Sequence, residues 1–558
     1  MTFTPTDEQR AAVDAFAAGN SLTLTAGAGT GKTATLRLLA EAAQGRRGLY
    51  AAFNRAIATD AKGSFPTNVT VKTTHALAFA AVGHRFKDRL NGPRIPAQQV
   101  ANQLGIRTGI KLGDQTVLQP AQQARLAIDM ATRFCNSADP EVSSKHLAPV
   151  PGLDPADHLD VADLLLPYAR QVWDDWCDPH SDSFKYPHDA YVKTWCLTNP
   201  SLGYDFLLFD ECQDTAPVIA NLVAQQQSQG TQIVVVGDPN QAIYGWRGAV
   251  DSMGMFTTDH ALQLSQSFRF GPAVADEANK WLERIGGPLR LTGTDTIRSQ
   301  VTVTPLAAAD AVLCRTNAGT VSEVMAAHQA AQKVAIVGGG QDALRLAEAA
   351  EALQGGRATS HPELALFSSW AAVQDHVDQG DANDLRPFVR LIDEHGARVV
   401  IDAINKAVPE QAAERVVSTA HKAKGREWDS VQIHSDFPEP KVDPETGEEQ
   451  VPGDEEAMLA YVAITRARRH LSRGTLAWVD SATVPASAPK PTTPTPAQVP
   501  GPAKVADPWA EHESDRPRLE LTLDQDLARW LTGEAVARGT TPEDLVERLI
   551  RARREWTP

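Results

Sequence analysis

Short apolar runs punctuated by glycine and polar turns recur at 21–26, 48–53, 69–72, 204–210 and 232–237, and helix-spaced stretches separate the first three. Strand alternating with helix is the rhythm of a parallel α/β sheet. From about 85 to 197 the strands give way to a polar, tryptophan-containing helical stretch. The simplest reading is an α/β domain, 1–84 with 198–259, interrupted by a helical insert at 85–197. A second set of runs, at 311–315, 334–337, 415–419 and 430–434, predicts a second α/β domain, 260–341 with 413–481. Its own insert, 342–412, is helical and rich in Ala and Glu. The acidic stretch 436–456 reads as a solvent loop, and Trp173, Trp176 and Trp195 as core of the first insert.

After 480 the composition changes. The segment 482–515 is rich in Pro, Ala and Thr, cannot bury a core and reads as an extended linker. In 516–558, Leu519, Leu521 and Leu523 alternate with Arg518, Glu520 and Thr522, which predicts a half-buried strand. Leu527, Trp530, Leu531 and Val536 then follow at helix spacing. Gly539 ends that helix, and Thr541 with Pro542 starts another, striped by Leu545, Val546, Leu549 and Ile550.

At 558 residues the chain is too long for one core, so three or more domains are expected. No apolar run approaches the roughly 20 residues a membrane helix needs. The opening MTFTPTDEQRAAV has neither a basic nor an apolar leader pattern, so a cytoplasmic protein without a membrane partner is expected. Cys135, Cys177, Cys196, Cys212 and Cys314 stand far apart with no CxxC pair, which suggests neither a zinc or iron–sulfur site nor a disulfide framework. The formal charge of −16 runs against a nucleic-acid binder. Charge is an average, however, and a groove can be basic inside an acidic protein, so the motifs decide.

The strongest of these is SLTLTAGAGTGKTATL, a strand, a glycine-rich turn and a helix. AGAGTGKT fits a phosphate-binding P-loop except that Ala26 replaces the first glycine. Ala28, Gly29, Thr30 and Gly31 would cradle phosphate through backbone N–H groups. Lys32 would reach the β- and γ-phosphates, and Thr33 would hold Mg²⁺. The chemistry also needs a carboxylate at the end of a neighbouring strand. In DFLLFDECQD, four apolar residues run into Asp210, which would hold Mg²⁺, and Glu211, which would activate water. ATP with Mg²⁺ is therefore expected.

Four further segments follow in order: GDPNQAIYGWRGA (237–249), LSQSFRFG (264–271), VVSTAHKAKGREWDSV (416–431) and EEAMLAYVAITRARRHL (455–471). With the two ATPase motifs they resemble the ordered motif set of UvrD/Rep-type superfamily 1A helicases, over nearly residues 1–478. The wording HKAKGREWD and PHDAYVKTW is similar to that of the F-box DNA helicase branch and its phage and bacterial relatives. This resemblance implies two RecA-like P-loop domains, each with a helical insertion. It also implies that Gln9 reads the adenine edge, Phe268 stacks on adenine and Glu427 contacts the ribose. Gln241 would sense the γ-phosphate, and Arg269 and Arg466 would reach it from the second lobe. Phe53, Thr73, His75, Tyr244, Trp246 and Arg247 match nucleic-acid contacts of the first lobe, and Thr419 and His421 those of the second. Phe53 reads equally well as a core aromatic.

There are departures. Ala34 stands where the UvrD/Rep branch has an arginine against adenine, Cys212 replaces an alanine, and the second insert is short. The tail resembles a ribbon-helix-helix module, an intertwined dimer that would make the chain a homodimer; a plain helical hairpin fits the same pattern. The reading is an ATP-dependent translocase and helicase on single-stranded DNA, 3′-to-5′ by analogy with the family. The alternative is a DNA-bound regulator or recombination-displacing factor that uses ATP mainly as a switch.

Overall fold

The structure is a computed structural model that describes residues 4–481 apart from 94, 113–115, 151–154, 246–251, 360, 362, 365–366, 368, 379–384, 444–446 and 448. Trp246, Arg247, the linker and the tail lie outside the described residues. Residues 4–148 and 164–481 belong to one compact unit, and the helical turns at 155–163 belong to another. Among the described residues no helix is long and apolar enough to cross a membrane.

Two six-stranded, wholly parallel sheets organise the larger unit. The first consists of β1 (Leu22–Ala26), β2 (Gly48–Ala52), β3 (Val69–Thr73), β4 (Phe206–Phe209), β5 (Gln232–Gly237) and β6 (His260–Leu264), in the order β3-β2-β4-β5-β1-β6. The second consists of β7 (Gln300–Thr302), β8 (Ala311–Cys314), β9 (Val334–Ile336), β10 (Arg415–Thr419), β11 (Trp428–Ile433) and β12 (Ala467–Ser472), in the order β9-β10-β8-β11-β12-β7. This is a mixed α/β architecture, as expected of two RecA-like domains. β4 and β5 are buried at every residue, as helices on both faces of a parallel sheet require.

The first sheet runs on past residue 259, because β6 pairs in register with β1, from Leu22 opposite His260 to Ala26 opposite Leu264. The first insert is not purely helical: Ile110–Leu112 and Thr116–Leu118 form a small antiparallel hairpin. Trp176 and Trp195 are buried in this insert's core, and Trp173 packs against it. The acidic stretch is not all solvent loop either. Asp436 accepts hydrogen bonds from the Arg315 and Thr316 backbone N–H groups, both at 2.8 Å. Asp454, Glu455 and Glu456 form the first turn of a buried helix, where the dipole favours acids.

Candidate functional site

Because every strand of a sheet runs the same way, its carboxyl ends gather along one edge, where ligands of open α/β sheets bind. In the first sheet those ends lead into the glycine-rich turn after β1, into Phe53 after β2, His75 after β3, Asp210 after β4 and Gln241 after β5. The turn after β1 holds Gly29 at φ 73° and Gly31 at φ 77°, left-handed values that an L side chain rarely adopts. A Cβ on Gly29 would also fall 2.5 Å from the Cβ of Arg269. The backbone there is thus free to approach a ligand, and Lys32 and Thr33 open the helix Lys32–Ala42.

Glu211 adopts φ 51° and ψ 44°, a left-handed conformation for a residue that is not glycine. Such a turn costs about 1–2 kcal/mol, and here it aims the carboxylate at Lys32, whose Nζ lies 3.6 Å from Glu211 Oε1. Gln213 Nε2 donates to the other oxygen at 2.6 Å. Burial alone would raise the Glu211 carboxyl. Lys32, followed by Lys424, the Gln213 amide and Arg466, outweighs it and holds the group down at about 2. Asp210 goes the other way. Burial first, then the Glu211 charge, pushes it up to about 6, against the Tyr50 hydroxyl and Lys32.

Two adjacent carboxylates, Asp210 and Glu211, meet at the end of β4, with Asp210 buried. Lys32 lies beside them. The donors beside it, the Thr33 hydroxyl and the Asp210 carboxylate, are the hard oxygens that Mg²⁺ prefers. These residues fit the ion. Another group of metal-type side chains among the described residues, Cys314, His434 and Asp436, is engaged internally. Asp436 lies 2.9 Å from His434 Nδ1 and also accepts from the Thr316 hydroxyl at 2.8 Å.

The cavity around the glycine-rich turn measures about 520 Å³ and is lined from both sheets. Phe268 lies on its wall, 43% exposed, with its ring against Gly31. Gln9 is near the same glycine, but its amide is already partnered. Its oxygen accepts from the Thr6 N–H at 3.1 Å in a helix-capping box, and its nitrogen donates to Thr35 Oγ1 at 3.0 Å. Arg466 comes from the second lobe, at the end of the helix Asp454–Ile464, and is buried, with Nη2 3.4 Å from Gln241 Oε1. Burial, then Arg269, lowers its guanidinium to about 9. Arg269 does not rise from the second sheet. It lies on the segment leaving β6, where Phe268 N–H donates to the Gly29 carbonyl at 2.8 Å, and its Nε pairs with Glu427 Oε2 at 2.7 Å. Gln241 is oriented by Asp238, whose Oδ2 accepts from its Nε2 at 2.6 Å.

A second cavity, about 390 Å³, is lined by Phe53, His75, Asp189, Asp214 and Tyr244. Phe53 is 44% exposed, so it is not a core aromatic. The hydroxyls of Thr73 and Thr419 each cap a helix, accepting from Ala76 N–H at 3.1 Å and Lys422 N–H at 3.3 Å. His75 and His421 therefore each sit two residues beyond a strand end, one in each lobe. His75 Nε2 lies 3.1 Å from Asp189 Oδ1 on the helix His188–Cys196 of the insert. The Tyr244 hydroxyl donates to the His421 carbonyl at 3.0 Å across the cleft.

Four residues of this neighbourhood were missed in the sequence. Lys424, of HKAKG, crosses from the second lobe to the Asp214 carboxylate and to the Gln241 carbonyl at 2.5 Å. Asp214 is pushed up to about 6 by burial, against the Lys424 charge, and its other oxygen is buried without a partner. Tyr461 donates to Asp238 Oδ2 at 3.0 Å and accepts from the Ala28 N–H at 3.3 Å. Tyr50 donates to Asp210 Oδ2 at 2.7 Å. Lys424, Asp214 and Tyr461 lie inside motifs already recognised, and that was their signal; for Tyr50, within an apolar strand, there was none.

Comparison with known proteins agrees with the two-domain α/β fold. The family model of the UvrD/REP helicase N-terminal domain matches residues 5–260, and that of the UvrD-like helicase C-terminal domain matches 370–473. F-box DNA helicase 1 of Gallus gallus is 28% identical over 516 residues, 83% of this chain and 48% of that protein. F-box DNA helicase protein 1 of Schizosaccharomyces pombe is 29% identical over 521 residues, 84% of this chain and 57% of that protein. DNA helicase II of Escherichia coli is 32% identical over 151 residues, 25% of this chain and 18% of that protein. The chain thus spans about half the length of the two F-box helicases. With both halves of the domain pair matched in order along it, the chain belongs to the UvrD-like helicase family.

Proposed function

We propose that this protein is a DNA-dependent ATPase that moves along single-stranded DNA, 3′-to-5′, and parts duplex ahead of it. The observation that carries the reading is the two-lobed composition of one cavity: Lys32, Glu211 and Gln241 face it from the first sheet, and Glu427 and Arg466 from the second. Hydrolysis there depends on how the lobes meet, which is how a motor couples chemistry to motion. An arginine supplied across a cleft can be worth about 10³–10⁵ in rate.

The bound Mg·ATP would supply the phosphoanhydride to be broken and a cation that draws off developing charge. Lys32 and the backbone N–H groups of the glycine-rich turn would grip the phosphates, and Thr33 with Asp210 would hold the cation. Glu211, kept ionised by Lys32, would accept the proton of the attacking water. Arg269, released from Glu427, and Arg466 would neutralise the γ-phosphate, leaving Glu427 for the ribose. Phe268 would stack on the base, with Gln9 at its edge. On the other side, Phe53 and Tyr244 would stack on bases, a grip worth roughly 1–3 kcal/mol per base that every base permits. Trp246 and Arg247 belong to the same set. The paired Thr73–His75 and Thr419–His421 helix starts would hold the backbone from each lobe in turn. The division into inserts at 85–197 and 342–412 belongs to this proposal.

ATP turnover measured with and without single-stranded DNA, and again with RNA, tests it. Strong stimulation by DNA is the expected result. Slow turnover that no strand alters would favour the switch-like regulator instead.

A further inference from the structure

We infer that Tyr50 is a positioning residue for the cation site, its hydroxyl fixing the Asp210 carboxylate. The inference rests on the nucleotide reading above. Tyr50 is the middle residue of β2, fully buried, with its ring stacked on Phe65 at 4.6 Å between centroids. β2 lies beside β4 with Tyr50 opposite Leu208, two residues before Asp210, so the side chain reaches along the sheet to the strand end. There its hydroxyl donates to Asp210 Oδ2 at 2.7 Å.

Packing does not account for that hydroxyl. A phenylalanine would fill the same place without a polar atom, and a buried hydroxyl is costly unless partnered. Here its partner is Asp210, a residue assigned to the cation. Asp210 Oδ1 meanwhile accepts the Glu211 N–H at 2.9 Å, so the carboxylate is held from both oxygens and cannot rotate freely. Groups that orient a ligand in this way typically cost about 10–100-fold in metal affinity when removed.

The test uses the full chain and reads metal binding rather than turnover. Mn²⁺ is titrated by electron paramagnetic resonance in the presence of a non-hydrolysable ATP analogue, and a fluorescent ATP is bound in chelator without metal. Tyr50→Phe should weaken Mn²⁺ about 10–100-fold and leave metal-free nucleotide affinity unchanged. Phe65→Leu, which loosens the ring but keeps the hydroxyl, should bind Mn²⁺ as the wild type does. Unchanged Mn²⁺ affinity in Tyr50→Phe overturns the inference. So does equal weakening in both variants, or loss of folding in Tyr50→Phe, either of which would make Tyr50 a packing residue. A wild type that binds neither nucleotide nor Mn²⁺ would overturn the nucleotide reading and this inference with it.

Discussion

The buried pair of Asp214 and Lys424 makes the two lobes answer to one another through single side chains. Each is an ion removed from water, and such a pair is stable only while both partners remain. Lys424→Met leaves Asp214 without its cation and should cost about 3–5 kcal/mol of stability, the usual scale for breaking a buried pair. Adding Asp214→Asn should recover much of it, because the stranded charge is then gone. Thermal melts of the single and double variants measure this; additive losses would mean that the pair is not coupled. For the chemistry itself, Glu211→Gln should still bind ATP yet turn over roughly 10²-fold or more slowly, the scale for losing a general base. Lys32→Ala should abolish hydrolysis in a folded protein, read by steady-state ATPase alongside the melt. The side chains proposed to be catalytic stand out in the sequence because each sits in a contiguous motif whose spacing the chemistry dictates. Residues that orient them were not, since Tyr50 in an apolar strand looks like any core aromatic until its hydroxyl is located.

At the scale of elements, burial decided what could be read. β4 and β5, buried throughout, announce themselves as continuous apolar runs. The outer strand β6 reads HALQL with only its last residue buried, and β12 reads ARRHLS with two exposed polar positions. A strand half in water has no reason to be apolar, so neither was expected. The link between β8 and β11 was equally hidden, because it consists of a histidine and acids from distant segments. His434 follows β11, with Nδ1 2.9 Å from Asp436 and Nε2 3.8 Å from Glu323. Burial lowers its basicity, but the hydrogen bond and charge of Asp436, aided by Glu323, raise it overall. A histidine raised in the folded state lends stability that is complete below its ordinary pKa of about 6.5 and is lost as pH rises through the folded value. His434→Gln should therefore melt below the wild type by a margin that shrinks as the pH rises above about 6.5. Calorimetry across that range checks it, and a constant margin would remove the ionic contribution.

Over the whole molecule, the two-lobed plan was legible because six motifs in fixed order leave little freedom. The crossing between lobes was not. β6 and the Phe268–Arg269 segment stay with the first sheet rather than opening the second. The reason is hydrogen bonding: Ser267 Oγ donates to the Ala28 carbonyl at 2.9 Å and ties this segment to the glycine-rich turn. The tail at 516–558 lies outside the described residues, so its expected behaviour stands on pattern alone. A module of about 40 residues can hardly bury a core unaided, which favours pairing with a second copy. The Pro-rich linker should let it act independently, so a chain ending near Val484 should remain an ATPase with its motifs complete. Mass in solution is what should change. If the tail is a ribbon-helix-helix, light scattering should find the full-length protein dimeric at micromolar concentration and the truncated one monomeric. Leu521→Lys, which sets a charge on the apolar face of the expected strand, should mimic the truncation, because an unpaired charge in that core is costly. Equal monomer masses for all three proteins would leave the tail a helical hairpin.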